Sequence, residues 1–280
     1  MNFTKMHGLG NDFICLDHFL FPPQIDYSEI AYRLCHRQFG IGGDGLIAIL
    51  PSQKADARMR IFNPDGSEPE MCGNGIRCFA RYVYDAGYIK KDSFYVETLA
   101  GVLKVELEVN EGDVRGVTVN MGEPFLNPEK IPVLAGSDRA VGEDIEACNT
   151  KMKFTAVSMG NPHCVIFVED LNTLDFAGLG PVIETHPLFP KKTNVEFVQI
   201  DNPGEITIKV WERGAGPTLA CGTGASASVI AAALEGRTGR QVTVHLPGGD
   251  LKINWAEDNH VYMTGPATYV FRGTLIEDKQ

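Results

Sequence analysis

Apolar and polar positions along the chain alternate in short runs. Tyr95-Val96-Glu97-Thr98, Leu103 to Val109, Thr207-Ile208-Lys209-Val210 and Val242 to Leu246 are β-branched, and several carry the period of two that marks a strand with one face buried. Asn63-Pro64-Asp65-Gly66, Asn110-Glu111-Gly112-Asp113, Asn202-Pro203-Gly204 and Pro247-Gly248-Gly249 punctuate them as turns. Helical spacing is rarer. Ser28 to Gln38 places Ile30, Ala31, Leu34 and Cys35 on one stripe, with Ser28 as the expected N-cap. Gly75 to Ala86 and Gly224 to Leu234 complete the set of predicted helices. The pattern predicts an α+β fold of mixed or antiparallel sheets around a few central helices.

The last two helices follow nearly the same hexapeptide, Met71-Cys72-Gly73-Asn74-Gly75-Ile76 and Ala220-Cys221-Gly222-Thr223-Gly224-Ala225, about half the chain apart. A charged turn precedes each, and a Gly-Asn step lies further upstream in each half, at Gly10-Asn11 and Gly160-Asn161. This weak internal repeat predicts two related lobes. The expected boundary is near Asn120 to Pro124: residues 1–120 and about 265–280 in a first lobe carrying Cys72, and 121–264 in a second carrying Cys221.

At 280 residues, with 44% apolar and 22% charged positions, the chain can bury a core without disulfides or metals. Seven cysteines, odd in number and scattered, form no disulfide framework and no zinc spacing. A net charge of −11 argues against nucleic acid or an anionic membrane surface as the main partner. No apolar run reaches the length of a membrane span and the start lacks an apolar signal block, so a cytoplasmic location is expected.

A cysteine opening a helix between glycines has chemical potential. Unpaired first-turn N–H groups and the helix dipole favour a thiolate, which predicts a thiol pKa below its free value of about 8.5. The same N–H groups can hold a carboxylate. One copy of the motif also reads as ordinary packing of a buried Cys. Two copies in equivalent halves suit the inversion of a chiral carbon, which needs an acid on one face and a base on the other. Cys78 and Cys164 read as structural, and Cys15, Cys35 and Cys148 have no chemical neighbours. Gly40 to Gly45 looks like a dinucleotide loop but lacks the strand-then-helix context. Asn161-Pro162-His163 reads as a turn with a structural His, and Glu212-Arg213 as a solvated pair or a carboxylate clamp. A thiol redox or acyl-transfer enzyme would need C-x-x-C or a Cys–His pair, and neither is evident. A binding protein that had lost catalysis would be expected to lack one Cys, and both are present.

Met6 to Phe13, Phe62 to Ser67, Cys72 to Cys78, Ser158 to Cys164, Thr193-Asn194-Val195, Glu212 to Gly216 and Ala220 to Gly224 together resemble the diaminopimelate epimerase family over nearly the whole chain. The resemblance implies two pseudo-symmetric lobes, each wrapped around a central helix. It also implies cofactor-independent interconversion of LL- and meso-diaminopimelate, toward lysine and peptidoglycan, without pyridoxal phosphate or metal. Cys72 and Cys221 become the catalytic pair. Substrate contacts fall on Asn11, Asn63, Asn161, Asn194, Glu212 and Arg213 and on the backbones of Gly73-Asn74 and Gly222-Thr223, with His163 and Glu212 tuning the thiols. A homodimer is implied as well. The chain departs from some members at two places, Gly45 standing where a Gln touches substrate and Phe271 where a Tyr meets the dimer partner.

Overall fold

The computed structural model describes residues 1–276, as 17 strands, four α-helices and one short 3-10 turn. The chain divides into two compact units. Unit 1 is Met1–Asn120 together with the chain from Thr264 onward, and unit 2 is Met121–Met263.

Unit 1 contains β1 (Asn2–Gly8), β2 (Asn11–Asp17), α1 (Tyr27–Leu34), β3 (Gly45–Leu50), β4 (Ala57–Phe62), α2 (Gly73–Asp85), β5 (Ser93–Thr98), β6 (Gly101–Asn110) and β7 (Asp113–Asn120). Unit 2 contains β8 (Glu143–Ala147), β9 (Thr150–Ser158), β10 (Pro162–Phe167), α3 (Phe176–Glu184), β11 (Asn194–Asn202), β12 (Glu205–Glu212), β13 (Gly216–Thr218), α4 (Gly222–Leu234), β14 (Gln241–Leu246) and β15 (Gly249–Trp255). The chain then runs through β16 (Val261–Gly265) into β17 (Thr268–Thr274), which pairs antiparallel with β1. No helix among the described residues is long and apolar enough to cross a membrane.

The repeat seen in the sequence is a repeat of topology. In unit 1, β1–β2 pair antiparallel, β2–β3 parallel, β3–β4 antiparallel, β4–β5 parallel and β5–β6 antiparallel. In unit 2 the same sequence of pairings runs β9–β10, β10–β11, β11–β12, β12–β14 and β14–β15. Each parallel step needs a crossover, and helices occupy equivalent ones: α1 and α3 in the first, α2 and α4 in the second. Both faces of each sheet are therefore covered, and the middle strands read as continuous apolar runs such as Leu46 to Leu50, all buried. Ile14, Leu16, Leu46, Ala48 and Phe62 bury one face of unit 1 against Tyr27, Ala31 and Leu34 of α1. Cys164, Ile166, Val195 and Phe197 do the same in unit 2 against Leu179 and Ile183 of α3. Helices α2 and α4 cover the opposite faces.

Three expectations change. The N-cap of α1 is Asp26, whose carboxylate accepts from Ser28 N (2.9 Å) and Glu29 N (3.4 Å); Ser28 already lies within the helix and donates to Gly66 O. A carboxylate at the N-cap also meets the positive end of the helix dipole, which a serine hydroxyl does less well. The same helix ends at Leu34, short of Gln38, because the amides of Ile41 and Gly42 close on Leu34 O. Helix α3 had no helical signature: Gly178, Gly180 and Pro181 hide it, and its packing between Phe176, Leu179, Ile183 and the sheet outweighs their low propensity.

Candidate active site

Both cysteines occupy the same place in their units, between a strand and the first turn of the covering helix. Cys72 is the N-cap of α2 (φ −141°, ψ 116°) and Cys221 the N-cap of α4 (φ −130°, ψ 107°). Extended backbone at the cap leaves the next amides pointing out of the helix without intrahelical partners, the arrangement that binds anions. At α4 the Cys221 sulfur itself accepts from Gly224 N at 3.3 Å.

Strand register places the other residues. Phe13 pairs with Gly45 and Leu46 with Phe62 in unit 1; His163 pairs with Asn194 and Val195 with Trp211 in unit 2. Asn11 is thus the positional counterpart of Asn161, Gly45 of Asn194, Asn63 of Glu212 and Asn74 of Thr223. Gly45 has no room for a longer residue, since a Cβ there would lie 2.9 Å from Phe62 O.

Around Cys72 the structure gathers Asn11 and Asn74. Asn11 Oδ1 accepts from Asn74 Nδ2 (3.1 Å) and stands 3.9 Å from Cys72 Sγ, while its Nδ2 donates to Asp44 Oδ2 (2.8 Å). Asp44 is held in turn by Arg37 (2.7 Å), which also binds Asp12, a carboxylate paired with Lys5 at 2.6 Å. Burial would raise the Asp12 carboxyl, but the hydrogen bonds from Arg37 and Lys5 prevail and bring it down to about 2. Asn63 donates to Ser67 Oγ (2.9 Å) inside its own turn.

Around Cys221 the structure gathers a longer chain. Its sulfur lies 3.5 Å from Thr223 Oγ1; Asn161 Nδ2 donates to Thr223 Oγ1 (3.3 Å), Asn161 Oδ1 meets His163 Nε2 (3.0 Å), and His163 Nδ1 meets Glu196 Oε1 (2.7 Å). Glu212 Oε1 accepts from Thr218 Oγ1 (2.6 Å). Asn194 is spent on the scaffold, donating to Pro162 O (2.8 Å) and accepting from Arg213 N (2.9 Å). The Arg213 guanidinium is exposed and reaches Lys191 O (3.1 Å), not Glu212.

Electrostatics correct one expectation. The helix N-terminus was expected to lower the thiols, yet burial pushes Cys221 well above the usual thiol value, and the charges of Glu212 and Glu196 add to it. The bonds from Thr223 and Gly224 lower it by less than these raise it. Glu196 is the residue the sequence reading missed. Its signal was a lone acid inside the buried run Asn194-Val195-Glu196-Phe197-Val198. Cys148, by contrast, is exposed at the β8–β9 turn with φ +52°, its sulfur 3.8 Å from Gly178 O.

A model of the family described as diaminopimelate epimerase matches residues 3–126 and 155–270. The chain belongs to the diaminopimelate epimerase family. Diaminopimelate epimerase of Desulfitobacterium hafniense is 65% identical over 280 residues, covering 99% of both chains. That of Pelotomaculum thermopropionicum is 58% identical over 275 residues, covering 98% of both. Among solved structures, a phenazine biosynthesis protein of the PhzF family from Bacillus anthracis superposes with a TM-score of 0.70 at 18% identity, covering 99% of both chains. A hydroxyproline epimerase from Agrobacterium vitis does so with a TM-score of 0.68 at 17% identity, covering 98% of this chain and 91% of its own. At these identities the likeness is one of fold, the mixed α+β fold that the strand pattern predicted. The diaminopimelate epimerase relatives place the chain among the isomerases.

Proposed function

We propose that the chain interconverts LL- and meso-2,6-diaminopimelate by a two-cysteine proton exchange, Cys72 and Cys221 acting on opposite faces of the α-carbon. The observation that carries the reading is the equivalence of the two thiols, each the N-cap of the helix in the same crossover of a duplicated sheet, in a chain of this family. In one direction a thiolate takes the α-proton, the electron pair moves toward the carboxylate, and the other cysteine's thiol returns a proton to the opposite face. The two sulfurs finish with exchanged protonation. The backbone amides at Gly73-Asn74 and Gly222-Thr223 would hold the reacting carboxylate as charge builds on it, where fixed dipoles outperform water. Asn11, Asn63 and Asn161 would bind the distal ammonium and carboxylate without adding charge. Arg213 would swing from Lys191 O to a carboxylate, which it can meet with two parallel hydrogen bonds. Asn194 would act by holding the Arg213 backbone, and His163 and Glu212 by tuning Cys221. The chemistry so drawn uses no pyridoxal phosphate and no metal, and belongs in the cytoplasm.

The test is turnover of LL-diaminopimelate in heavy water beside a proline control. Deuterium entering mainly the product supports two bases, because each face exchanges with its own thiol. A wild-type protein that turns over proline and leaves LL-diaminopimelate untouched sinks the assignment of substrate. We also propose a homodimer, with Phe271 of β17, half-exposed and edge-on to Phe3 at 5.9 Å, in the interface. F271A should shift the sedimentation of the wild type toward the monomer.

A further inference from the structure

Equivalent strand positions beneath the two cysteines carry opposite chemistry. Side chains alternate across a strand, so His163 of β10, Asn194 and Glu196 of β11, and Glu212 of β12 share the face of the sheet covered by α4. In unit 1 the counterparts of His163 and Glu196 are Phe13 and Ile47, both buried and apolar. The fold therefore does not require a polar pair at these positions.

Glu196 sits directly against the catalytic turn. A Cβ built on Gly224 would lie 2.7 Å from Glu196 Oε1 and 3.2 Å from Cys221 Sγ; the same atom on Gly75 would meet the methyl ends of Ile61 and Ile47 and the Cβ of Cys72. Glu196 and His163 are both fully buried, and Glu196 Oε2 has no hydrogen-bond partner among the described residues. A buried carboxyl oxygen left unpaired costs stability unless something is gained from it.

The hydrogen-bond chain fixes how many protons the pair holds. Asn161 gives its Nδ2 to Thr223, so its Oδ1 must accept, and His163 Nε2 carries hydrogen. The 2.7 Å contact between His163 Nδ1 and Glu196 Oε1 then holds one further proton, on nitrogen or on oxygen. Either way a carboxyl group that can ionise lies beside Cys221. The titratable groups facing this spot are His163 from β10, Glu196 from β11, Glu212 from β12 and Cys221 itself, while the buried Cys164 thiol points to the α3 face of the sheet. On the other side of the duplication, α2 buries Arg77 where α4 has Ser226; its guanidinium donates to Gly73 O at 3.1 Å, the carbonyl next to Cys72. Unit 1 thus buries a cation beside its cysteine, and unit 2 buries acids.

We propose that Glu196, hydrogen-bonded to His163, is a positioning residue that holds an ionisable carboxyl against Cys221 and so keeps Cys221 the resting proton donor of the two cysteines. The proposal rests on the two-cysteine reading and adds to it which thiol keeps its proton between turnovers. Burial pushes the Glu196 carboxyl up, with His163 opposing, in keeping with a proton held in the pair.

The test is the pH titration of the Cys221 thiolate, read by its ultraviolet absorbance in the full-length chain after subtracting the matching C221S protein. Glu196→Gln keeps the shape and a bond to His163 but cannot ionise, so no carboxylate opposes the Cys221 thiolate at the pH where it forms and thiolate formation becomes easier. The Cys221 midpoint should fall by about one pH unit or more, with the alkaline limb of kcat/KM following it. A folded E196Q chain with an unmoved Cys221 midpoint overturns the proposal, whatever its turnover. Failure of the wild type to epimerise diaminopimelate would sink the substrate reading and leave this titration standing. Should E196Q not fold, carbon-13 NMR of the Glu196 carboxyl in the wild type decides. A midpoint well above the exposed value of about 4.3 supports the pair, and one at that value overturns it.

Discussion

At the scale of the residue, the site is governed by which groups are buried together. Gly224 shows this most sharply. Any side chain there would press on Glu196 Oε1 at 2.7 Å and Cys221 Sγ at 3.2 Å, and both side chains are buried, Glu196 fully. G224A should therefore cost about 1–3 kcal/mol in denaturant unfolding, the range for overpacking a tight core, and should lower turnover as the thiol is displaced. An alanine tolerated at full stability and activity would show the turn to be looser than drawn. Asp12 makes a second case. Its folded pKa, about 2, lies below the unfolded value of about 3.9, so its stabilisation is present above the unfolded value and lost as pH falls through the folded one. D12N should melt earlier than wild type near neutral pH, with the gap closing between about pH 4 and pH 2. A gap that persists at pH 2 would assign the effect to packing and not to charge. Cys72, Cys221 and Asn11 could be read from the sequence because their spacing repeats. Glu196, Asp44 and Lys5 could not, because their significance lies in strand register and burial, which a one-dimensional pattern does not carry.

At the scale of the element, local signals were legible where pattern and packing agree. The strands at Tyr95, Leu103, Thr207 and Val242 and the helices after the two cysteines lie where alternation and the C-G-x-G motifs place them. Helix α1 was legible in its apolar stripe but not in its cap, since Asp26 and Ser28 are both acceptable N-caps and only three-dimensional placement turns Ser28 toward Gly66 O. D26A should cost about 1 kcal/mol, read as a lower denaturation midpoint at unchanged slope, and should leave kcat intact because α1 covers the sheet face opposite α2. A loss of activity without loss of stability would mean that α1 has a role the hydrogen bonds do not show. Helix α3 is the element its own sequence hides: two glycines and Pro181 argue against a helix, and packing around Leu179, Ile183, Phe197 and Trp211 makes it stable.

At the scale of the whole chain, the duplication has one consequence for folding that its two halves do not share. Unit 2 is built from one continuous stretch, whereas unit 1 closes only when the C-terminal segment returns. That segment supplies β17 along the edge of β1, from Asn2 opposite Thr274 to His7 opposite Thr268. It also supplies two backbone acceptors for α2, with Arg77 Nε donating to Pro266 O (3.1 Å) and Arg81 Nη1 to Ala267 O (2.7 Å). Arg77 is fully buried, and a buried guanidinium that loses an acceptor is left with an uncompensated desolvation cost on the order of several kcal/mol. Unit 1 should therefore remain unfinished until the end of the chain is available, late in synthesis, while unit 2 can close earlier. A chain ending at Met263 tests this. Hydrogen exchange should show the amides of β1 and α2 losing protection by orders of magnitude while those of α4 and β11 keep theirs, the signature of separate cooperative units. If protection falls equally in α2 and α4, the two units fold as one and the continuous half owes its stability to the other.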